Sequence, residues 1–291
     1  MNQTTSYYVP DHSHWPAVGA LGLGLFAVGA VNMIHGNTIG YFLFPLAFVV
    51  LIFMMRGWFG DVIRESHEGL YSKQMDRSFR WGMFWFIFSE VMFFGAFFGA
   101  LFYARHLVVP WLGGESVAKL STHTFLWPEF KAAWPLLHNP NPEKFIAPLG
   151  TIHAFGIPAL NTLLLLTSGL TLTIAHWGLM KNNRKQLTNF LFLTVLLGAT
   201  FLGFQIYEYV HAYHELNLKL SSGIYGTTFF MLTGFHGLHV TLGGIMLSVI
   251  LARCAKGHFT PEHHFGFEAV AWYWHFVDVV WLLLFVLVYW L

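Results

Sequence analysis

Residues 269–291 read AVAWYWHFVDVVWLLLFVLVYWL, a stretch in which Asp278 is the only acidic or basic residue apart from His275. An α-helix rises 1.5 Å per residue, so about 20 apolar residues cross the roughly 30 Å hydrocarbon core of a bilayer. Backbone N–H and C=O groups in hydrocarbon must bond within the protein, and a run of this length suits a helix rather than a strand. The stretch therefore predicts a membrane-spanning helix.

Six more apolar runs precede this one along the chain. The predicted spans, numbered I to VII, cover residues 17–34, 39–55, 81–103, 157–174, 190–207, 224–252 and 269–291. Only 10% of the 291 residues are charged, against about 25% in soluble domains, so most of the surface must face something other than water. The predicted fold class is an all-α integral membrane protein with seven transmembrane helices, in a single membrane domain over residues 1–291.

Composition and motifs exclude several function classes. A net charge of +1 gives no basic field for nucleic acid. The single cysteine, Cys254, excludes an internal disulfide and a metal site built on several thiolates. No GxxxxGK(S/T) or GxSxG pattern occurs, so phosphate chemistry and acyl transfer have no support.

Lysine and arginine set the predicted orientation. With seven spans, the N-terminus shares a side of the membrane with the II–III, IV–V and VI–VII loops. That side holds ten of the fifteen Lys and Arg residues: Arg56, Arg64, Lys73, Arg77, Arg80, Lys181, Arg184, Lys185, Arg253 and Lys256. The positive-inside rule then places the N-terminus in the cytoplasm and the C-terminus outside.

The segment 108–148 interrupts the series of spans. It is rich in proline, contains Trp111, Trp127 and Trp134, and lacks the periodicity of a spanning helix. A connection of this length is usually functional or docked against something. Two interpretations are open: an extramembrane loop with its tryptophans at headgroup depth, or a contact with a partner protein.

Small residues repeat in span III. Gly95 and Gly99 form a GxxxG pattern, which lets two helices approach closely. We predict that this pair packs helices within the chain rather than forming a dimer face.

Span III also carries an acid, Glu90, among aromatic residues (FSEVMFF, 88–94). An ionisable group inside a span costs about 3 kcal/mol or more unless it is paired or protonated, so it is a candidate functional residue. Glu90 is either a proton-linked group or lipid headgroup partner, or a protonated carboxyl hydrogen-bonded between helices.

Polar side chains recur at helical spacing along the last three spans. They are Gln205, Glu208 and His211 in V, His236 and His239 in VI, and Glu268, Trp272, His275 and Asp278 in VII. Residues three or four apart share a helix face, so each set forms a stripe. We predict that the three stripes turn toward one another, where imidazole and carboxylate satisfy each other; a proton wire is the alternative.

Seventeen histidines raise the question of a metal. Glu208 and His211 form an ExxH, but a di-iron bundle needs a second such pair on another helix, and none occurs. His236–His239 and His211–His214 are isolated pairs, without the repeated boxes of membrane di-iron enzymes. The sequence therefore predicts no metal ligand, although one histidine per helix would suffice for haem.

Several blocks of sequence resemble subunit III of the haem–copper cytochrome c oxidases. In order they are HWP (14–16), DVIRES (61–66), FSEVMFF (88–94), PALNT (158–162), YGTTFF (225–230), TGFHGLHV (233–240), HHFGFE (263–268) and YWHFVDVVW (273–281). Their order and spacing cover nearly the whole chain.

The resemblance implies a non-catalytic core subunit of a proton-translocating oxidase. In that family the haems and coppers lie on subunits I and II, which would be the partners, and subunit III carries no cofactor or metal. It supports proton uptake and protects the oxygen-reducing site from inactivation during turnover. Helices I–II (about 15–58) splay from helices III–VII (about 78–291) around a cleft filled with phospholipids.

The resemblance also implies lipid-binding residues. They are Trp58, Arg64, Arg80, Glu90, His236, Arg253 and Lys256. Arginine and lysine at the inner ends of helices suit phosphate headgroups. Glu90 matches the family's carbodiimide-reactive carboxyl.

One departure from the family pattern, one choice between branches and two competing functions complete the sequence-based account. The 108–148 loop is longer than in the short mitochondrial form, which favours the inner membrane of a bacterium over that of a mitochondrion. Spans I and II favour the cytochrome c oxidising branch over a quinol oxidase.

Two other functions compete with that of an oxidase subunit: an independent proton or solute transporter, and a membrane di-iron enzyme. No internal repeat supports the first, and no histidine box supports the second.

Overall fold

The computed structural model describes residues 8–9, 12–115 and 120–291, and no strand occurs among them. Its helices are α1 (Trp15–Ile34), α2 (Gly40–His67), α3 (Lys73–Tyr103), α4 (Val109–Leu112), α5 (Leu120–Leu126), α6 (Ile157–Met180), α7 (Arg184–His214), α8 (Ile224–Ala255) and α9 (Phe265–Leu284). A π-helical turn, Ala104–Val108, joins α3 to α4, and another, Phe285–Trp290, continues α9. Seven helical segments are long and apolar enough to cross a membrane, which confirms the predicted fold class.

Local sequence signals set several helix ends. Pro158 lies in the first turn of α6, where its missing N–H costs no helical hydrogen bond. Asn183 caps α7, since its side-chain oxygen accepts a hydrogen bond of 3.1 Å from the backbone N–H of Gln186. Most helices extend beyond their apolar runs into polar flanks, because backbone hydrogen bonding continues where water begins.

The chain divides into two compact units, one ending at Trp81 and the other formed by Gly82–Leu291. In the first unit α1 packs against α2 through aromatic rings, including Phe26 and Phe44, whose centroids lie 5.0 Å apart. The Trp15 indole N–H donates a hydrogen bond of 2.7 Å to Asp61 Oδ2. That bond joins the start of α1 to the inner half of α2.

The core of the second unit is centred on Trp274 of α9, which is 0% exposed. Its indole N–H donates a hydrogen bond of 2.9 Å to Ser168 Oγ on α6. A Cβ at Gly198 of α7 would lie 2.7 Å from the indole, and one at Gly243 of α8 would lie 2.8 Å from it. Glycine at both positions therefore leaves room for the indole ring, and α6, α7, α8 and α9 meet around it.

The segment 108–148 docks on its own chain at the C-terminal end of α7 and the N-terminal end of α8. The Trp134 ring meets Tyr225 edge-on at 5.6 Å, and Asn139 Nδ2 donates a hydrogen bond of 3.0 Å to Ser222 O. Residues 116–119 lie outside the described part of the segment. These contacts favour docking, and a contact with a partner protein stays a prediction.

The GxxxG pattern does not pack as predicted. At Gly95 and Gly99, no atom of a neighbouring described residue lies within 4 Å of where a Cβ would stand. The prediction of packing inside the chain is therefore wrong for the described structure. Spacing identifies small residues on one face, but it does not say which neighbour covers that face.

Candidate functional site

Glu90 of α3 lies against His239 of α8, and their side chains are 22% and 10% exposed. His239 Nε2 lies 2.8 Å from Glu90 Oε2, while its Nδ1 lies 2.6 Å from the backbone oxygen of Phe235. A carbonyl oxygen only accepts, so Nδ1 carries a hydrogen. The other nitrogen then shares one proton with Glu90, either as imidazolium to carboxylate or as a neutral ring that accepts from a protonated acid.

In both arrangements the Glu90–His239 pair is neutral overall, which lowers the cost of placing it in hydrocarbon. Of the predicted alternatives for Glu90, the geometry supplies the interhelical hydrogen bond, between α3 and α8. The predicted roles in lipid binding or proton transfer stay predictions.

Glu208 forms a second buried group near the C-terminal end of α7. The Tyr289 hydroxyl donates a hydrogen bond of 2.6 Å to Glu208 Oε1, and Gln205 Nε2 donates a longer one of 3.4 Å. Glu208 and Gln205 are 1% and 4% exposed. The predicted partner of this carboxyl was an imidazole, whereas the structure supplies a phenol from the end of the chain.

His275 and Asp278 of α9 face α6 rather than α7 or α8. His275 Nε2 lies 3.5 Å from Thr173 Oγ1. Asp278 Oδ2 would lie 2.9 Å from a Cβ at Gly169, so the carboxyl packs against the α6 backbone. The prediction that the polar residues of the three stripes pair with one another is therefore wrong. The contacts come in part from α3 and α6, which the stripes alone did not indicate.

His236 has no surface to offer a lipid. It is 0% exposed, and its Nε2 lies 3.1 Å from the backbone oxygen of Val277 on α9. Its ring lies beside those of Phe201 and Trp281, at centroid distances of 5.8 and 5.1 Å. The lipid-binding prediction for His236 is corrected to a hydrogen bond between α8 and α9.

Cations at the N-terminal end of α7 and the C-terminal end of α8 form a cluster around Phe259. Its members are Arg184, Lys185, Arg253 and Lys256, and we name it the inner-face cluster after the orientation predicted from the sequence. The Arg253 guanidinium lies 4.3 Å above the Phe259 ring, and Arg184 Nη2 donates a hydrogen bond of 2.7 Å to the Phe259 backbone oxygen. A surface pocket of about 630 Å³ opens between Arg184, Lys185 and Lys256. Arginine and lysine around a pocket at a helix N-terminus suit a phosphate group.

The resemblance predicted Arg253 and Lys256 as lipid-binding residues, whereas Arg184 and Lys185 entered the sequence-based account only for orientation. Positive charges in the first turn of a helix oppose its dipole. Two of them, Arg184 and Lys185, directly follow the Asn183 cap, a pattern that favours an anion at this position.

The predicted lipid-binding residues of the first unit lie at its surface. Trp58 is exposed, while Arg64 pairs with Asp61 at 2.9 Å and Arg80 pairs with Asp76 at 2.8 Å. These carboxylates offset part of the positive charge.

Tyr71 anchors the loop that follows α2 in the first unit. Its hydroxyl donates a hydrogen bond of 2.7 Å to Glu65 Oε2. Burial, together with that bond to the carboxylate, raises the pKa of Tyr71 well above its usual value. The phenol therefore stays a hydrogen-bond donor at physiological pH.

One group of side chains has the geometry to hold a metal ion among the residues that the structure describes. It consists of His176, His264 and Glu268, whose ligand atoms lie within 4.8 Å of one another. Sequence analysis did not find it, because about 90 residues separate His176 from the other two.

Comparison with known proteins matches these features to one family. The family model of cytochrome c oxidase subunit III matches residues 5–118 and 120–291. Cytochrome c oxidase subunit 3 of Drosophila melanogaster is 43% identical over 289 residues, which are 98% of this chain and 96% of the relative. That of Hippopotamus amphibius is 42% identical over 290 residues, 99% of this chain and 98% of the relative. The chain therefore belongs to the cytochrome c oxidase subunit III family.

Proposed function

We propose that the chain is a non-catalytic core subunit of cytochrome c oxidase that holds structural phospholipids beside the redox subunits. In this role it supports proton uptake and protects the oxygen-reducing site of subunit I from inactivation during turnover. The haems and coppers lie on subunits I and II, and this chain contributes no redox centre. The observation that carries the proposal is family membership over nearly the full chain.

The contacts of the polar groups support a role in holding helices of the chain together. Glu90 is hydrogen-bonded to His239 on another helix, and Glu208 accepts a hydrogen bond from Tyr289. Interhelical hydrogen bonds of this kind are worth about 0.6–1.7 kcal/mol in membranes. The buried acids thus have structural partners that account for their presence in a span.

The proposed location is the inner membrane of a bacterium, with the N-terminus in the cytoplasm. The excess of Lys and Arg in alternate loops supports the orientation. The length of the 108–148 loop supports the bacterial assignment. The predicted cleft filled with lipid stays a prediction.

The inner-face cluster is the proposed phospholipid site with the clearest test. Replacing both Arg253 and Lys256 with Ala removes two charges worth about 1 kcal/mol each toward anionic lipid, or roughly 30-fold in affinity together. We expect less phospholipid retained per oxidase complex and faster inactivation during turnover, with little change in initial activity. Phosphorus analysis and turnover time courses measure both quantities.

Matched controls lie on the opposite side of the chain. Lys131 and Lys144 belong to the outer segment, so Lys131→Ala with Lys144→Ala removes the same charge without touching the inner-face cluster. Phospholipid content and lifetime should stay at the wild-type level in this control. Unchanged values in the Arg253→Ala and Lys256→Ala double variant as well would rule out the lipid role of the cluster.

A further inference from the structure

Three side chains from two helices converge near the inner end of the second unit. His176 lies in the last turns of α6, His264 occupies the residue position just before α9, and Glu268 lies in the first turn of α9. Their ligand atoms lie within 4.8 Å of one another. Within this group, His264 Nε2 lies 3.3 Å from Glu268 Oε1.

Hydrogen bonding fixes which nitrogen of His264 faces the cluster. Its Nδ1 lies 3.1 Å from the backbone oxygen of Thr260, which only accepts, so Nδ1 carries a hydrogen. Nε2 therefore presents a lone pair to the Glu268 oxygen unless a second proton sits on the ring. At 3.3 Å, the His264 Nε2 atom and the Glu268 oxygen can share either a proton or a metal ion.

His176 contributes a third ligand atom that is otherwise unused. Its Nε2 is buried, and within the described parts of the chain it has no hydrogen-bond partner. The ring stacks on Phe267 at 5.3 Å with an interplanar angle of 29°, which holds its orientation. A buried ring nitrogen without a partner is costly, and coordination of a cation would remove that cost.

We propose that His176, His264 and Glu268 bind one divalent transition-metal ion of the zinc class. Two imidazoles and one carboxylate form a ligand set typical of Zn²⁺, whereas Mg²⁺ and Ca²⁺ prefer oxygen ligands alone. The bond from His264 Nδ1 to the Thr260 carbonyl is the outer-shell contact that orients metal-binding histidines. Water fills the fourth position of the tetrahedron.

The distances fit this ion after a small adjustment. Donors at 2.0–2.2 Å from zinc lie about 3.4 Å apart in a tetrahedron, close to the observed spacing of His264 and Glu268. His176, whose ligand atom lies within 4.8 Å of the other two, reaches the same spacing by a shift of at most about 1.4 Å. The bound ion joins the inner end of α6 to the start of α9, and this role is independent of the proposed lipid and oxidase functions.

Zinc counting on the intact oxidase tests the proposal. The complex is stripped with a mild chelator, dialysed against a low micromolar concentration of radioactive Zn²⁺ and counted per haem. Wild type should hold one zinc equivalent more than His176→Ala or Glu268→Gln, since loss of a ligand lowers affinity by at least the roughly 10–100-fold seen for outer-shell changes. His263→Ala, an exposed neighbour outside the group, should keep that equivalent.

Two results would overturn the metal site. The first is equal zinc content in wild type, His176→Ala and Glu268→Gln, each with a normal ratio of haem to protein. The second is a zinc-edge anomalous density map of the loaded oxidase with no peak between these three side chains. The Glu268→Gln variant keeps the shape of the side chain, so loss of folding cannot produce the expected difference.

Discussion

Replacing Trp274 with Ala is expected to lower the free energy of unfolding of the second unit by about 3–5 kcal/mol. The indole is 0% exposed, and its N–H is bonded to Ser168 Oγ on α6. The change therefore leaves a cavity where Gly198 and Gly243 made room for the ring, and it removes the hydrogen bond that the Ser168 hydroxyl accepts. The temperature at which heating releases the chain from the oxidase complex should fall by roughly 10 °C.

An exposed tryptophan gives the matched control. Trp177 lies on α6, the helix to which the Trp274 indole bonds, but it is 55% exposed, so Trp177→Ala removes an indole without opening a cavity. The melting temperature of the Trp177→Ala variant should stay within about 2 °C of wild type, since surface substitutions usually change stability by less than 0.5 kcal/mol. Equal losses in both variants would mean that Trp274 is not the centre of the core.

The second large effect concerns Glu90 and His239. Glu90→Leu leaves the imidazole without its partner on α3, and an unsatisfied buried group costs about 1–3 kcal/mol. Glu90→Gln keeps a donor for the ring nitrogen, so we expect near wild-type stability and initial turnover. Thermal melts of both variants in the intact complex measure the difference.

A double-mutant cycle separates the pair from its surroundings. If the two side chains stabilise each other, Glu90→Leu with His239→Leu should cost less than the sum of the single changes. Strictly additive losses would show that the pair contributes no coupling. A large loss of turnover in Glu90→Gln with normal stability would instead support proton transfer by Glu90.

The membrane fold was predictable because the hydrocarbon imposes a simple length rule. Seven apolar runs gave seven spanning helices, and the helix ends moved only where polar residues continued the hydrogen-bonding pattern. Glu90 was also identifiable, since an acid among aromatic residues in a span needs a partner. The partner, His239, lies 149 positions away and was not identifiable from spacing.

Helical spacing defines a face but not the neighbour that the face meets. His236 and His239 are three residues apart, yet one bonds to the α9 backbone and the other to Glu90 on α3. The same limit explains the misassigned partner of Glu208 and the unpacked Gly95 and Gly99. The group of His176, His264 and Glu268 escaped notice for a related reason, because only the fold brings α6 to the start of α9.

Optical spectroscopy with metal analysis on two detergent preparations tests the central claim most directly. One preparation is the oxidase purified through a tag on this chain, and the other is the chain purified alone. The account predicts haem absorption and copper in the first, and neither haem, iron nor copper in the second. Stoichiometric haem, iron or copper on the isolated chain would contradict it.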